Sequence, residues 1–179
     1  MKRAFFGLAA TAAVAMTLAG CAGTGTTTSG GAKATAMLAP KSGTSTGGTV
    51  TFTQQSGGVM MVASVTGLPP NTTHGFHVHE KGDCSAPDAM SAGGHFNPGG
   101  KPHGQVSMPD HHAGDMNNLT SDANGNARAS FLLPDLSVGT GPNGVIGRAV
   151  VVHKDPDDYK TQPTGNSGGR IACGVVAAS

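Results

Sequence analysis

Short runs in which apolar and polar residues alternate, each bounded by Gly, Pro, Asn or Asp, recur along the chain from Ala34 onward. Successive side chains of a strand point to opposite faces, so a period of two predicts strands with one buried face. The runs cover 34–40, 49–54, 59–66, 74–80, 103–106, 126–133, 145–152 and 170–176. Eight short strands separated by turn residues predict an all-β domain, a sandwich or a flattened barrel. Gly57-Gly58 suits a hairpin between the second and third strands, and Asn124-Gly125 a tight turn ahead of the sixth. Two stretches, 81–102 and 154–169, are too long for simple turns. Long ordered loops on a β scaffold are usually functional, and both of these follow a strand that ends in or near His.

Composition narrows the class. The 179 residues include 29 Gly and 11 Pro, which disfavours a helical bundle or coiled coil. Aromatic residues make up 4% and Trp is absent, so the core must come from small aliphatic side chains and Met. The length suits one domain and is too short for a TIM barrel. Charged residues make up only 12%, with a net charge of +1, and no nucleic-acid partner is expected from so weak a basic balance.

The start of the chain sets the compartment. Lys2 and Arg3 precede an uncharged run over 4–20, the pattern of a secretion signal. Leu18-Ala19-Gly20-Cys21 resembles the bacterial lipoprotein signal, in which Cys21 would be acylated and become the first residue of the mature chain. Acyl chains there would anchor the protein to a membrane by lipid alone. Ala22, rather than an Asp, resembles sorting to an outer membrane. The division expected is therefore a signal peptide at 1–20, lipidated Cys21 with a flexible tether through 33, and a folded domain at 34–179, in the periplasm or cell envelope. Setting Cys21 aside leaves Cys84 and Cys173, an even pair in an oxidising compartment, for which a disulfide is the natural expectation. It would close a loop of roughly 90 residues and contribute on the order of 4 kcal/mol in the chain-entropy account.

The chemistry resides in the histidines. In Gly75-Phe76-His77-Val78-His79 the strand period puts both imidazoles on one face and Phe76 and Val78 on the other. An H-x-H unit alone is weak evidence for a metal. His95, His103, His112 and Asp115 then fall within a Gly/Pro-rich segment that needs something to order it. Three imidazoles and one carboxylate make a closed tetrahedral set suited to zinc. His153 ends an apolar strand at the start of a long loop. His74 lies on the opposite face from His77, and His111 immediately precedes a better-placed ligand, so both are expected to be non-ligating.

His77-Val78-His79, Gly94-His95-Phe96-Asn97-Pro98, His112-Ala113-Gly114-Asp115, Val151-Val152-His153 and the stretch from Gly165-Asn166 to Arg170-Ile171-Ala172-Cys173-Gly174-Val175 together resemble copper-zinc superoxide dismutase. The resemblance covers the whole domain from Ala34, and 82–95 is similar to the bacterial branch. It implies an eight-stranded flattened Greek-key β-barrel with long metal-binding and electrostatic loops. It implies copper on His77, His79, His95 and His153, and zinc on His95, His103, His112 and Asp115, with His95 shared. Asp157 matches the carboxylate that links a copper His to a zinc His, here His77 and His103, and Arg170 matches the arginine that attracts the anion. The implied reaction is dismutation of superoxide to O2 and hydrogen peroxide, with His95 taking up and returning a proton, protecting the cell envelope. Where eukaryotic members carry a steering Lys this chain has Pro163, with Lys154 and Lys160 as the candidate substitutes. A homodimer is an admissible assembly, though the eukaryotic one does not carry over to the bacterial branch. The alternative is an envelope lipoprotein on the same scaffold that binds copper and zinc without turnover.

Overall fold

The alternation seen in the sequence becomes burial in the first three strands. In the computed structural model, which describes residues 31–179 together with Met1, Lys2 and Ala4, these are β1 (Lys33–Pro40), β2 (Gly47–Gln55) and β3 (Gly58–Thr66). Ala34, Ala36 and Leu38 of β1, Val50 and Phe52 of β2, and Val59, Met61, Ala63 and Val65 of β3 all point into one core. The intervening residues, among them Thr35, Thr51 and Val62, face outward. Cys21, the tether up to residue 30 and nearly all of the expected signal lie outside the described residues. No helix among the described residues is long and apolar enough to cross a membrane.

The chain continues through β4 (Thr73–His74), β5 (Phe76–His79), a single 3-10 turn (Met90–Ala92), β6 (Leu119–Thr120), β7 (Ala127–Leu133), β8 (Ala149–His153) and β9 (Arg170–Ala178). Every strand pairing is antiparallel. Seven strands form one curled sheet in the order β5-β8-β9-β1-β2-β3-β7, and β4 pairs with β6 as a small second sheet. This is the expected all-β Greek-key architecture. The last strand returns to pair with the first, and β3 pairs with β7 across a long connection, so the ends of the chain's path are locked together.

Nine strands form where eight are expected, because the run at 74–80 divides at Gly75 into β4 and β5 and the two-residue β6 lies outside the expected runs. Three further details differ from the pattern expected of the sequence. The run at 103–106 is not a strand, because its backbone groups are satisfied elsewhere. The His103 N–H donates to Gln162 Oε1 at 2.8 Å and the Gln162 amide donates back to the His103 carbonyl at 2.9 Å. The apolar run at 145–152 becomes strand only from Ala149, since Gly147 takes a left-handed φ of 81° and the Arg148 N–H closes a turn on the Val145 carbonyl. In the β2–β3 hairpin the turn residues are Ser56 and Gly57, while Gly58 pairs with Gln55. A Cβ on Gly58 would lie 2.5 Å from the Leu133 carbonyl oxygen of the neighbouring strand, so no side chain fits there.

Strand β8 is buried on both faces, which explains its uninterrupted apolar sequence. Val150 and Val152 enter the main core, while Ala149 and Val151 meet a second cluster of Ala89, Ala92 and Cys173. That cluster is the underside of the loop over 80–94. A disulfide between Cys84 and Cys173, with Cα atoms 5.8 Å apart, fastens this loop to β9 as expected. The fold thereby clamps a long loop across the end of the strands that carry His77, His79 and His153.

Candidate metal centre

Strand β5 carries its two imidazoles outward from the core that Phe76 and Val78 enter. The same face receives a loop that crosses it, through single bridges of His79 with His95 and of His77 with Asp115. Val78 binds this loop from both sides, its N–H donating to the Gly114 carbonyl at 2.9 Å and its carbonyl accepting from Phe96 N–H at 2.8 Å. Gly114 permits the approach, because a Cβ there would lie 2.2 Å from the Val78 oxygen. His153 arrives at the end of β8, where a register irregularity after Val152 turns it toward His77 and His79.

Two sets of four side chains result, all buried. His77, His79, His95 and His153 form one, and His95, His103, His112 and Asp115 the other; within each set the ligand atoms lie within 4.8 Å of one another. His95 belongs to both. Its ring stacks on His77 with centroids 3.9 Å apart and stands edge-on to His103 at 5.3 Å and to His112 at 5.5 Å. His74 and His111 belong to neither set. The His74 ring is held by the His153 carbonyl at 2.9 Å and the Thr72 hydroxyl at 2.7 Å, and His111 by the His112 carbonyl at 2.7 Å.

The hydrogen bonds fix which nitrogen of each ring is free. A carboxylate or carbonyl only accepts, so the ring nitrogen facing it carries the hydrogen and the other presents a lone pair. His77 donates from Nε2 to Asp157 Oδ2 at 2.7 Å, leaving a buried Nδ1 without a partner. His79 donates from Nδ1 to the Gly93 carbonyl at 3.0 Å, and His153 has Nδ1 at 3.4 Å from the Gly168 carbonyl. Their Nε2 atoms then face each other as two lone pairs at 3.2 Å. His95 Nε2 points into the same space and is also unpartnered. Four converging imidazole lone pairs form a donor set that copper fits.

The second set is arranged around Asp115. Its oxygens stand 2.9 Å from His95 Nδ1, 3.1 Å from His103 Nδ1 and 3.3 Å from His112 Nδ1. The His103 contact lacks hydrogen-bond alignment, since that ring donates from Nε2 to Asp157 Oδ1 at 3.0 Å and its Nδ1 is left unpaired. Backbone N–H groups of His112 and Gly104 also point at Asp115 Oδ2, at 2.9 and 3.1 Å. Three imidazole nitrogens around one carboxylate fit zinc. Asp157 is itself aimed by Asn118, whose side-chain oxygen accepts from the Asp157 N–H and whose amide donates to the Asp157 carbonyl, each at 2.9 Å.

Electrostatics separates the two sets. Burial, followed by the neighbouring His153, His95 and Arg170, holds His79 well below its usual basicity, and burial does the same for His153. Burial and the adjacent His77 lower His95 to about 4. Burial opposes protonation of His103 as well, but the carboxylates of Asp115 and Asp157 beside it overcome this and raise the ring to about 9. Burial works against ionisation of Asp115 and Asp157 too; hydrogen bonds from His103 and the other imidazoles nevertheless hold both far below the usual carboxylate range. One set is neutral, and the other already carries charge for a cation to displace.

Arg170 opens β9 beside the first set. Its guanidinium donates from Nη1 to the Ala89 carbonyl at 2.8 Å and from Nη2 to the Gly93 carbonyl at 2.6 Å. Gly93 therefore holds His79 and Arg170 with one oxygen. The Arg170 head shares a cavity of about 420 Å³ with His153, Asp88 and Met90. Lys154 lines a neighbouring cavity with Thr44 and His74, and Lys160 one beside His103, so neither lines the cavity that holds Arg170. The carbonyls of Ala89 and Gly93 and the amide of Gln162 escape sequence reasoning. Backbone oxygens have no residue-type signature, and Gln162 acts through a backbone partner 59 residues away.

A curled Greek-key barrel bearing two adjoining donor sets that share one imidazole defines a class of dinuclear metalloprotein. The profile described as Copper/zinc superoxide dismutase (SODC) matches residues 46–176. The chain is 45% identical over 127 residues to Superoxide dismutase [Cu-Zn] 2 of Aquifex aeolicus (strain VF5), covering 69% of this chain and 74% of that one. It is 46% identical over 127 residues to Superoxide dismutase [Cu-Zn] 1 of the same organism, covering 69% and 75%. Among solved structures it is similar to the clock protein EA4, with a TM-score of 0.74 at 44% identity over 82% of this chain and 94% of that one. A SOD-like protein from Bacillus subtilis gives a TM-score of 0.71 at 37% identity over 79% and 96%. The chain belongs to the copper/zinc superoxide dismutase family; it is an oxidoreductase acting on superoxide, with copper and zinc as its cofactors.

Proposed function

We propose that His77, His79, His95 and His153 hold copper, that His95, His103, His112 and Asp115 hold zinc, and that the enzyme removes superoxide in the cell envelope, anchored there through Cys21. The observation that carries the copper assignment is the pair of Nε2 lone pairs of His79 and His153 facing each other at 3.2 Å in a buried space. Without a cation between them two such lone pairs repel. Copper held there would supply the one-electron couple that oxidation of one superoxide and reduction of another require.

The chain's own residues do the rest. Arg170 places a fixed positive charge in the cavity that leads to His153, which draws in a small anion. His95 Nε2, a lone pair aimed at the copper side, would be free to take up a proton from solvent whenever copper is not on it and to pass that proton to the reduced oxygen, which needs two protons in all to leave as hydrogen peroxide; solvent supplies the other. Asp157 keeps the His77 and His103 rings in the tautomers that leave Nδ1 free. Arg170 favours turnover over metal storage, since a store gains nothing from an anion-guiding cation beside its metal.

The envelope assignment draws on the basic and apolar start of the chain and on the Cys84–Cys173 disulfide, which suits an oxidising compartment. Fractionation of cells expressing the full chain tests it. The wild-type chain should sediment with membranes, and Cys21→Ser should move it to the soluble envelope fraction. A wild-type chain that is soluble, or a variant that stays on membranes, overturns the lipid anchor.

A further inference from the structure

The cavity that His153 lines is also lined by Arg170, whose fixed positive charge opposes an incoming cation, and by Asp88, whose carboxylate offsets part of that charge for any cation. The Arg170 head is held in place by two carbonyls. Repulsion scales with the charge of the incoming ion, so a dication is opposed twice as strongly as a monocation. The lining contains one group able to offset this selectively. Met90 is 60% exposed, although the turn it belongs to is buried on either side of it at Ala89 and Ala92. Ala89 takes a left-handed φ of 58°, which presents its carbonyl to Arg170 Nη1, while the next side chain stands in the cavity lining. Asp88 lines the same cavity, and its Oδ1 accepts from the Met90 N–H at 3.0 Å.

A thioether is a neutral, soft donor that selects Cu(I) over harder cations. Of the other large exposed methionines among the described residues, Met1 opens the chain, Met37 lies on the outer face of β1, and Met108 lines a cavity beside His103, on the zinc side. Of these four, Met90 is the one that lines the cavity of a copper-side histidine. We propose that Met90 captures Cu(I) at the mouth of the cavity and passes it to His153 and His79 by ligand exchange. This rests on the copper assignment made above. No electron moves in the step: the sulfur–copper contact breaks as an imidazole–copper contact forms.

The test is the rate at which metal-free full-length protein, under anaerobic conditions, withdraws Cu(I) from a coloured bicinchoninate complex, followed by loss of the complex's absorbance. Met90→Leu, which keeps the volume and removes the sulfur, should take up Cu(I) about tenfold more slowly than wild type. Met37→Leu should match wild type. Uptake of Cu(II) from a weak amino-acid complex should be the same in Met90→Leu and wild type. Equal Cu(I) rates in Met90→Leu and wild type overturn the capture role, as does equal slowing with Cu(II), which would mark a steric effect. Wild-type protein that binds no copper at the end of the experiment overturns the copper assignment instead, so the two failures are distinguishable.

Discussion

Asp157 and His77, 80 residues apart in the chain, meet in a buried 2.7 Å hydrogen bond between Oδ2 and Nε2. The second oxygen of the same carboxylate accepts from His103 Nε2 at 3.0 Å and from the Tyr159 N–H at 2.7 Å. One ligand from each set is therefore oriented by a single residue that belongs to neither, and the loop over 154–169 is tied to both.

Asp157→Asn should weaken both sites. An amide offers one acceptor oxygen and turns an N–H toward the other ring's N–H, so His77 and His103 cannot both keep their free Nδ1. Metal affinity should fall by roughly 10- to 100-fold, the usual effect of losing such a carboxylate. Chelator competition on the metal-loaded protein reads this directly, and retention equal to wild type would refute the orienting role.

Much of this arrangement is legible in the sequence, and the reason differs by residue. His77 and His79 are readable because strand periodicity alone puts them on one face, and β5 conforms. His95, His103, His112 and Asp115 are readable as a cluster because they are close in the chain. Which of them is shared is not, since that depends on how the loop crosses Val78. His153 and Asp157 join the centre over separations of 74 and 80 residues from their partners, which no local pattern encodes; the family resemblance supplied them. The run at 103–106 shows the opposite failure. Its composition suits a strand, but a Gln162 amide takes its backbone groups, and tertiary pairing overrides propensity.

Arg170→Ala should lower the catalysed rate about tenfold and flatten its dependence on ionic strength, because the near-neutral chain has little other charge to steer an anion. Pulse-generated superoxide decay at several salt concentrations checks this. A rate and salt slope equal to wild type would remove Arg170 from steering.

The metal-free protein should be most stable near pH 6.5. Burial lowers His95 to about 4, and lowers His79 and His153 as well, so the stability tied to their neutral forms is complete above the ordinary 6.5 and is lost as pH falls toward 4. Asp115 and Asp157, held below the usual 3.8, lose their contribution in the same acid direction. His103 runs the other way. Burial opposes its charge, but Asp115 and Asp157 raise it to about 9, so its contribution is complete below 6.5 and is lost as pH rises through 9. Thermal melts of chelated protein from pH 4 to 9 should show a maximum between these limbs. A midpoint that rises steadily to pH 9 would contradict the assignment for His103.

If the two adjoining donor sets hold one copper and one zinc, copper in the first should drive dismutation. The most direct measurement is the catalysed decay of superoxide by purified protein of known metal content, before and after selective removal of copper. Protein with one copper and one zinc per chain should dismute superoxide at a rate approaching diffusion control, lose that activity with its copper while keeping zinc, and recover it when copper is restored. Protein that binds both metals without accelerating the decay, or that keeps its activity after copper is gone, would contradict the account.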